Sequence, residues 1–169
     1  MVLQEPYLFS GTLEENLRIA EQEPDRDRLM EAVETACLRD TIERFTSGFE
    51  TRVGERGVTL SGGQKQRTAI AQTLLRETPV TVFDDSLSAV DSRTDAQIRE
   101  ALTRQGEGRT RILIAHRITT LMQADEIVVL EKGRVVQCGN HETLLAQEGP
   151  YRAIYNLQMR DDLLQEVRG

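Results

Sequence analysis

VTVFDDSLSAVD, residues 80–91, runs from three apolar residues and a threonine straight into two adjacent carboxylates. The four strand formers carry no charged or amide side chain between them, which predicts a strand buried on both faces, as in a parallel sheet. Pro79 in front of it ends the preceding helix. A buried strand that closes on paired carboxylates points to a metal or acid–base site. Two adjacent buried aspartates are hard to keep ionised without a cation.

The segments on either side extend this reading. Upstream, in SGGQKQRTAIAQTLLRE, Ser61 is positioned to cap a helix over Gln64–Arg76, with Ala69, Ile70, Thr73 and Leu74 facing inward. Downstream, a helix over Asp91–Arg104 carries Ile98 and Leu102 at i, i+4, and RILIAH (Arg111–His116) reads as a second apolar strand with a polar end. Nearer the start, Thr12 followed by Glu15 forms a capping box that opens a helix. A second helix is expected over Asp25–Leu38, with Leu29, Ala32, Val33, Ala36 and Cys37 on one face. TSGFETRVGERG (Thr46–Gly57), with three glycines and alternating charge, reads as a surface loop. EIVVLEKGRVVQCG (Glu126–Gly139) reads as a hairpin turning at Gly133. From His141 onward the chain is expected to be helical, packing through Leu144, Leu145, Tyr151, Ile154, Tyr155 and Leu157. Helices alternating with apolar strands predict a layered α/β fold with a parallel sheet. Ligands of such sheets bind outside the carboxyl ends of the strands. Asp84, Asp85 and His116 all fall at predicted strand ends, so they point to one site.

A chain of 169 residues is about one domain and long enough to bury one core. Its formal net charge of −7 excludes a broad electrostatic grip on DNA or RNA. Cys37 and Cys138 lie far apart without metal-ligand spacing, so buried free thiols in a reducing compartment are expected. No apolar run approaches the roughly 18 residues of a membrane span, and no charged-then-apolar leader opens the sequence. Any work at a membrane is expected to go through partner segments.

Several residues carry two readings when taken singly. Gly62 and Gly63 ahead of a helix leave backbone N–H groups free to contact a phosphate, or form a plain glycine turn capped by Ser61. Asp84 closes its strand as a Mg2+-holding aspartate does in phosphate-binding ATPases, or caps the next helix. Asp85 can orient or deprotonate a water. His116 is either structural or a hydrogen-bond donor to a transferring phosphate. Gln4, beside Glu5-Pro6, carries a neutral amide able to hold Mg2+ or water.

Taken together, the order and spacing of LQEPYLFSGTLEENL, TRVGERG, LSGGQKQR, VTVFDDSLSAVD and ILIAHR strongly resemble the nucleotide-binding domain of an ATP-binding cassette (ABC) transporter of the exporter type. The resemblance continues through EIVVLEKGRVVQCGNHETLLAQEGPYRAIY and so covers nearly the whole chain. It implies a P-loop NTPase-like parallel sheet flanked by helices, with an α-helical subdomain, ATP and Mg2+ as ligands, and an ATPase (translocase) activity. Residues 1–78 correspond to the Q-loop and helical subdomain, and residues 79–169 to the C-terminal part of the ATPase core. By the same resemblance Gln4 is the Q-loop glutamine, and Gln4 and Asp84, the Walker B aspartate, hold Mg2+. Asp85 stands at the catalytic base and His116 is the switch histidine. Leu60–Gln64 is the signature motif, with Ser61, Gly62, Gly63 and Gln64 serving nucleotide held by another subunit. Ser88, Ala89 and Asp91 belong to the D-loop. The implied partners are transmembrane domains of the same transporter and a second nucleotide-binding domain in a head-to-tail dimer, without nucleic acid. The implied location is the cytoplasmic face of the membrane.

Two departures qualify the resemblance. No G-x-x-x-x-G-K-[ST] occurs in the sequence, and the family places that Walker A cradle upstream of Gln4. The chain is therefore expected to be the C-terminal portion of the domain, with apolar sheet surface left uncovered. The family's base after Walker B is normally glutamate, and here it is Asp85. That side chain is shorter by about 1.5 Å of reach, which resembles the degenerate site of a heterodimeric exporter. Two other classes remain open: a soluble ABC-type ATPase of DNA repair, chromosome maintenance or translation, and a non-catalytic interaction module.

Overall fold

The computed structural model describes residues 1–21, 25–54, 57–76, 78–87, 89–104 and 108–166, the last six of these by backbone alone. The chain divides into two compact units, Met1–Ile114 and Ala115–Gly169.

In the first unit, capping chemistry sets where the first helix begins. The Thr12 hydroxyl accepts from the Glu15 N–H at 3.0 Å, and the Glu15 carboxylate accepts from the Thr12 N–H at 2.7 Å. Helix α1 (Leu13–Arg18) starts at that box and buries Leu13 and Leu17. Helix α2 (Arg26–Thr35) buries Leu29, Ala32 and Val33. It stops short of the expected Leu38 because Cys37 adopts a φ of 51°, outside the helical region, and Leu38 then begins α3 (Arg39–Glu43). Helix α4 (Gly62–Leu75) packs on α1 and α2, and α5 (Ser92–Arg104) packs on α2 through a face containing Ile98 and Leu102. Leu13, Leu17, Leu29, Leu38, Ile70, Leu75, Phe83 and Ile98 share one core, each Leu or Ile contributing about 1.5–3 kcal/mol by leaving water.

One of the three described strand pairs has the expected parallel arrangement. TSGFETRVGERG, however, is not a plain loop. A 3-10 turn (Gly48–Glu50) leads into Arg52–Val53 (β2), which pairs antiparallel with Gly11–Thr12 (β1). Val53 is 1% exposed, and glycine and charge content concealed that anchoring residue. Strands β3 (Val80–Asp84) and β4 (Thr110–Ile114) run parallel, in register from Val80↔Thr110 to Asp84↔Ile114. Val2 bridges the other edge of β3, donating to the Val82 carbonyl at 2.8 Å and accepting from the Asp84 N–H at 2.9 Å.

Burial on both faces of β3 does not hold. Thr81 and Phe83 point into the core, whereas Val80 is 52% exposed, and Ile112 and Ile114 on the same face of β4 are also exposed. A continuous apolar run states that both faces suit apolar surroundings. It does not state that these residues supply them.

In the second unit, β5 (Ile127–Glu131) and β6 (Arg134–Gly139) form the expected hairpin. Lys132 and Gly133 have φ of 49° and 76°, the positive values a two-residue type I′ connection requires. The helical tail is two helices, α7 (His141–Ala146) and α8 (Pro150–Glu166), preceded by the short α6 (Ile118–Leu121). Pro150 has no N–H to donate and is well placed at the first turn of α8, which separates it from α7. Leu144 and Tyr151 are buried with Ile118 and Ile127, but Ile154 and Leu157 are exposed rather than packed. The cysteines also depart from expectation: both are free, yet Cys37 is half-buried and Cys138 exposed.

Candidate functional site

The carboxyl end of β3 carries the most constrained chemistry. Asp84 closes the strand, tied to Val2 through its N–H. Asp85 leaves the strand with a φ of 44° while its N–H still donates to the Ile114 carbonyl at 2.8 Å. A left-handed non-glycine residue costs about 1–3 kcal/mol and persists only where its surroundings fix it. Here the chain turns sharply at the strand end. Gln4 lies alongside, its Nε2 donating to Asp85 Oδ2 over a long 3.4 Å. That places the Gln4 amide and a carboxylate together where parallel sheets bind ligands.

Among the described residues, no group of three or more His, Cys, Asp or Glu side chains is placed to hold a metal ion. A Mg2+ that completes its shell with substrate phosphates and water needs only one or two carboxylates. The Asp84 carboxylate and the Gln4 amide oxygen are hard oxygen donors carried at the same strand end, and Gln4 reaches Asp85 through its nitrogen rather than that oxygen. The residues present therefore fit Mg2+.

The glycines of Leu60–Gln64 show a role the sequence did not disclose. Ser61 and Gln64 form a capping box: the Gln64 N–H donates to Ser61 Oγ at 3.3 Å and Gln64 Oε1 accepts from the Ser61 N–H at 2.8 Å. Gly62 and Gly63 are the first residues of α4. A Cβ on Gly63 would stand 3.0 Å from the Ala89 carbonyl oxygen, so the helix start and the segment after β3 approach as closely as backbone allows. Gln66, one turn on and 2% exposed, donates through Nε2 to the Gln4 carbonyl at 2.8 Å and accepts through Oε1 from the Ala89 N–H at 3.2 Å. Arg67 donates to the Cys37 carbonyl at 3.1 Å and to the Thr41 hydroxyl at 3.2 Å. Sequence reasoning singles out neither Gln66 nor Arg67. The available signal is a polar residue, Gln66, on the helix face that carries Ala69 and Ile70, where only a hydrogen-bonded side chain is tolerated.

Asp91 caps α5, its Oδ1 accepting from the Thr94 N–H at 3.0 Å. That backbone hydrogen bond holds the exposed carboxyl below the ordinary aspartate range. Ser88 lies outside the described residues. His116 belongs to the second unit, where it is exposed and its carbonyl accepts from Gln158 Nε2 at 2.7 Å. The structure thus brings together Gln4, Asp84, Asp85, Gly63 and Ala89 within the first unit, and His116 is described in its own unit only. Among the described residues, no helix is long and apolar enough to cross a membrane.

A family model described as ABC transporter matches residues 1–88. The multidrug resistance-like ATP-binding protein MdlA of Escherichia coli is 42% identical over 167 residues, which is 99% of this chain and 28% of that protein. An uncharacterized ABC transporter ATP-binding protein, y4gM, of Sinorhizobium fredii is 44% identical over 156 residues, 92% of this chain and 27% of its own length. Among solved structures, a bacterial Atm1-family ABC exporter with ATP bound matches with a TM-score of 0.89 and 39% identity, over 93% of this chain and 28% of the other. The chain spans little more than a quarter of the length of the curated relatives it matches.

Proposed function

Since the chain belongs to the ABC transporter family, we propose that it works as part of the ATP-binding, ATP-hydrolysing unit of an exporter, coupling nucleotide binding and hydrolysis to transport. The observation that carries this reading is the Gln4 amide 3.4 Å from the Asp85 carboxylate, beside Asp84, at the carboxyl end of a parallel strand pair. In this reading residues 1–78 are the Q-loop and helical subdomain, and residues 79–169 are the later part of the core. Asp84 and the Gln4 amide oxygen hold Mg2+, which neutralises phosphate charge when bound with ATP. Asp85 orients or deprotonates the attacking water, and His116 donates a hydrogen bond to the transferring phosphate. Ser61, Gly62, Gly63 and Gln64 face nucleotide held by a second nucleotide-binding domain in a head-to-tail dimer, with Ser88, Ala89 and Asp91 in the loop between the sites. Transmembrane domains of the same transporter are the other partner, at the cytoplasmic face of the membrane.

The reading extends to rate. Asp85 keeps the charge of a base but falls one methylene short, and a misplacement of about 1 Å costs on the order of 100-fold, about 2.7 kcal/mol of barrier. In this reading the site that Asp84 and Asp85 line is the slow member of a pair, and Leu60–Gln64 serves a partner with the better base. The deciding experiment is Mg-ATP hydrolysis by the purified full-length transporter. Asp84→Asn should lower turnover more than tenfold, and Asp85→Glu should raise it. A wild-type protein without hydrolysis above background refutes the ATPase reading, whereas an unchanged Asp85→Glu refutes only the slow-site reading. The isolated 169-residue chain, which contains no G-x-x-x-x-G-K-[ST] cradle, is expected to bind ATP weakly and not to hydrolyse it. A micromolar Kd by calorimetry would overturn that expectation.

A further inference from the structure

We propose that Gln66 is a positioning residue of the ATPase cycle, its one buried amide holding Gln4 and Ala89 at fixed distances from the start of α4. The inference rests on the ATPase reading above, and it concerns a residue to which that reading gives no part. Three separate segments converge on this side chain: the strand-like N-terminal segment that carries Gln4, the turn after β3 that carries Ala89, and α4 itself.

The chemistry of the contact selects an amide. The Gln4 carbonyl can only accept, and the Ala89 N–H can only donate. The side chain between them must donate at one end and accept at the other, which fixes the orientation as Nε2 toward Gln4 and Oε1 toward Ala89. A glutamate keeps the acceptor toward Ala89 and turns a negative oxygen on the Gln4 carbonyl. A methionine fills the same volume and satisfies neither group. At 2% exposure, water is not available as a substitute partner.

The neighbouring glycine strengthens the assignment. Gly63 and Gln66 lie three residues apart on α4, so both face the same side of the helix. Gly63 leaves room for the Ala89 carbonyl, and Gln66 binds the Ala89 N–H. Ala89 is therefore met by α4 at both its N–H and its carbonyl. Gln4 is held on the same side chain by its backbone carbonyl, which leaves its side-chain amide free to approach Asp85. Any shift of α4 toward or away from a ligand at Ser61–Gln64 is transmitted to the residues that flank Asp85 without a change in rotamer. Because the contact to Gln4 is through backbone, replacing the Gln4 side chain leaves this link intact, and the two residues are separable by mutation.

The test uses the full-length transporter, with kcat and KM for Mg-ATP measured alongside the thermal midpoint. Gln66→Glu and Gln66→Met should each lower kcat about tenfold, leave KM within twofold, and leave the protein folded. A residue that merely supported the fold would lower the thermal midpoint but leave kcat per folded transporter at the wild-type value. Wild-type kcat in both variants overturns the inference, as does loss of folding in both, since the amide would then serve stability alone. A wild-type transporter without ATPase activity overturns the underlying reading instead, and that outcome is read before any variant is compared.

Discussion

Helix α4 and strand β3 carry the two halves of the candidate chemistry, and they are finished to different degrees within this chain. The helix is tied down by side-chain bonds along its length: a reciprocal Ser61–Gln64 cap, Gln66 and Arg67 bonded across to other segments, and Gln72 donating to the Asn16 carbonyl at 2.8 Å. The strand is closed on one face only. Phe83 is buried at 2% exposure while Val80, three residues before it, stands 52% exposed, and the strand ends in a left-handed Asp85. The helix is determined by short-range capping and by side chains with fixed bonding needs. The strand's surroundings depend on what covers each face of the sheet.

The largest effect that separates the two faces is on stability. Phe83→Ala removes a ring from a core that includes Leu17, Ile70 and Ile98, and should cost about 3–5 kcal/mol. Val80→Ala on the other face should cost under about 0.5 kcal/mol. Urea midpoints of the chain measure both, and similar losses would break the contrast between the faces. Next comes Asp85→Glu, expected to raise turnover of the full transporter by up to about 100-fold if reach alone limits the base, as read in an ATPase assay. A smaller change follows from the helix side. Ser61→Ala removes the acceptor of the Gln64 N–H and should cost about 1 kcal/mol of stability. Thr12→Ala, at the other capping box, should cost a similar amount, and a clear inequality would show that Ser61 has work beyond capping.

What was legible in the sequence follows the same division. Helix starts at Thr12 and Ser61 were readable because a cap is local chemistry within four residues. The Lys132-Gly133 turn was readable for the same reason, as was the parallel α/β class, from apolar strands alternating with helices. The pairing of Val53 with Gly11 was not, because two residues in a glycine-rich stretch carry no period to detect. The break between α7 and α8 falls at Gly149-Pro150, a turn signal that a single helical tail from His141 passes over. The exposure of Ile154 and Leu157 was hidden because helical spacing marks an apolar face without saying what it meets. At the site, Asp84 and Asp85 stood out by type and position, and Gln4 through the family resemblance. Gln66 did not, since its role depends on Gln4, 62 residues away in sequence, and on Ala89, 23 away.

The smallest predicted effect sharpens the contrast between a neutral cap and a titrating one. The cap of α4 is a hydroxyl and an amide, which do not change charge with pH. The cap of α5 is Asp91, whose carboxyl is held below its ordinary value of 3.8 chiefly by the Thr94 N–H. A carboxyl with a folded pKa below its unfolded one adds stability that is fully present above the unfolded value. That stability is lost as pH falls through the folded value. The contribution of Asp91 should therefore fade from about pH 3.8 downward and leave neutral pH unaffected. Because the side chain is exposed, the effect is modest and screened by salt. The substitution Asp91→Asn keeps an acceptor for the Thr94 N–H without a titrating group. Circular dichroism across the acid limb should show the variant losing helix signal less steeply than wild type, and identical acid limbs would place that sensitivity on other carboxylates.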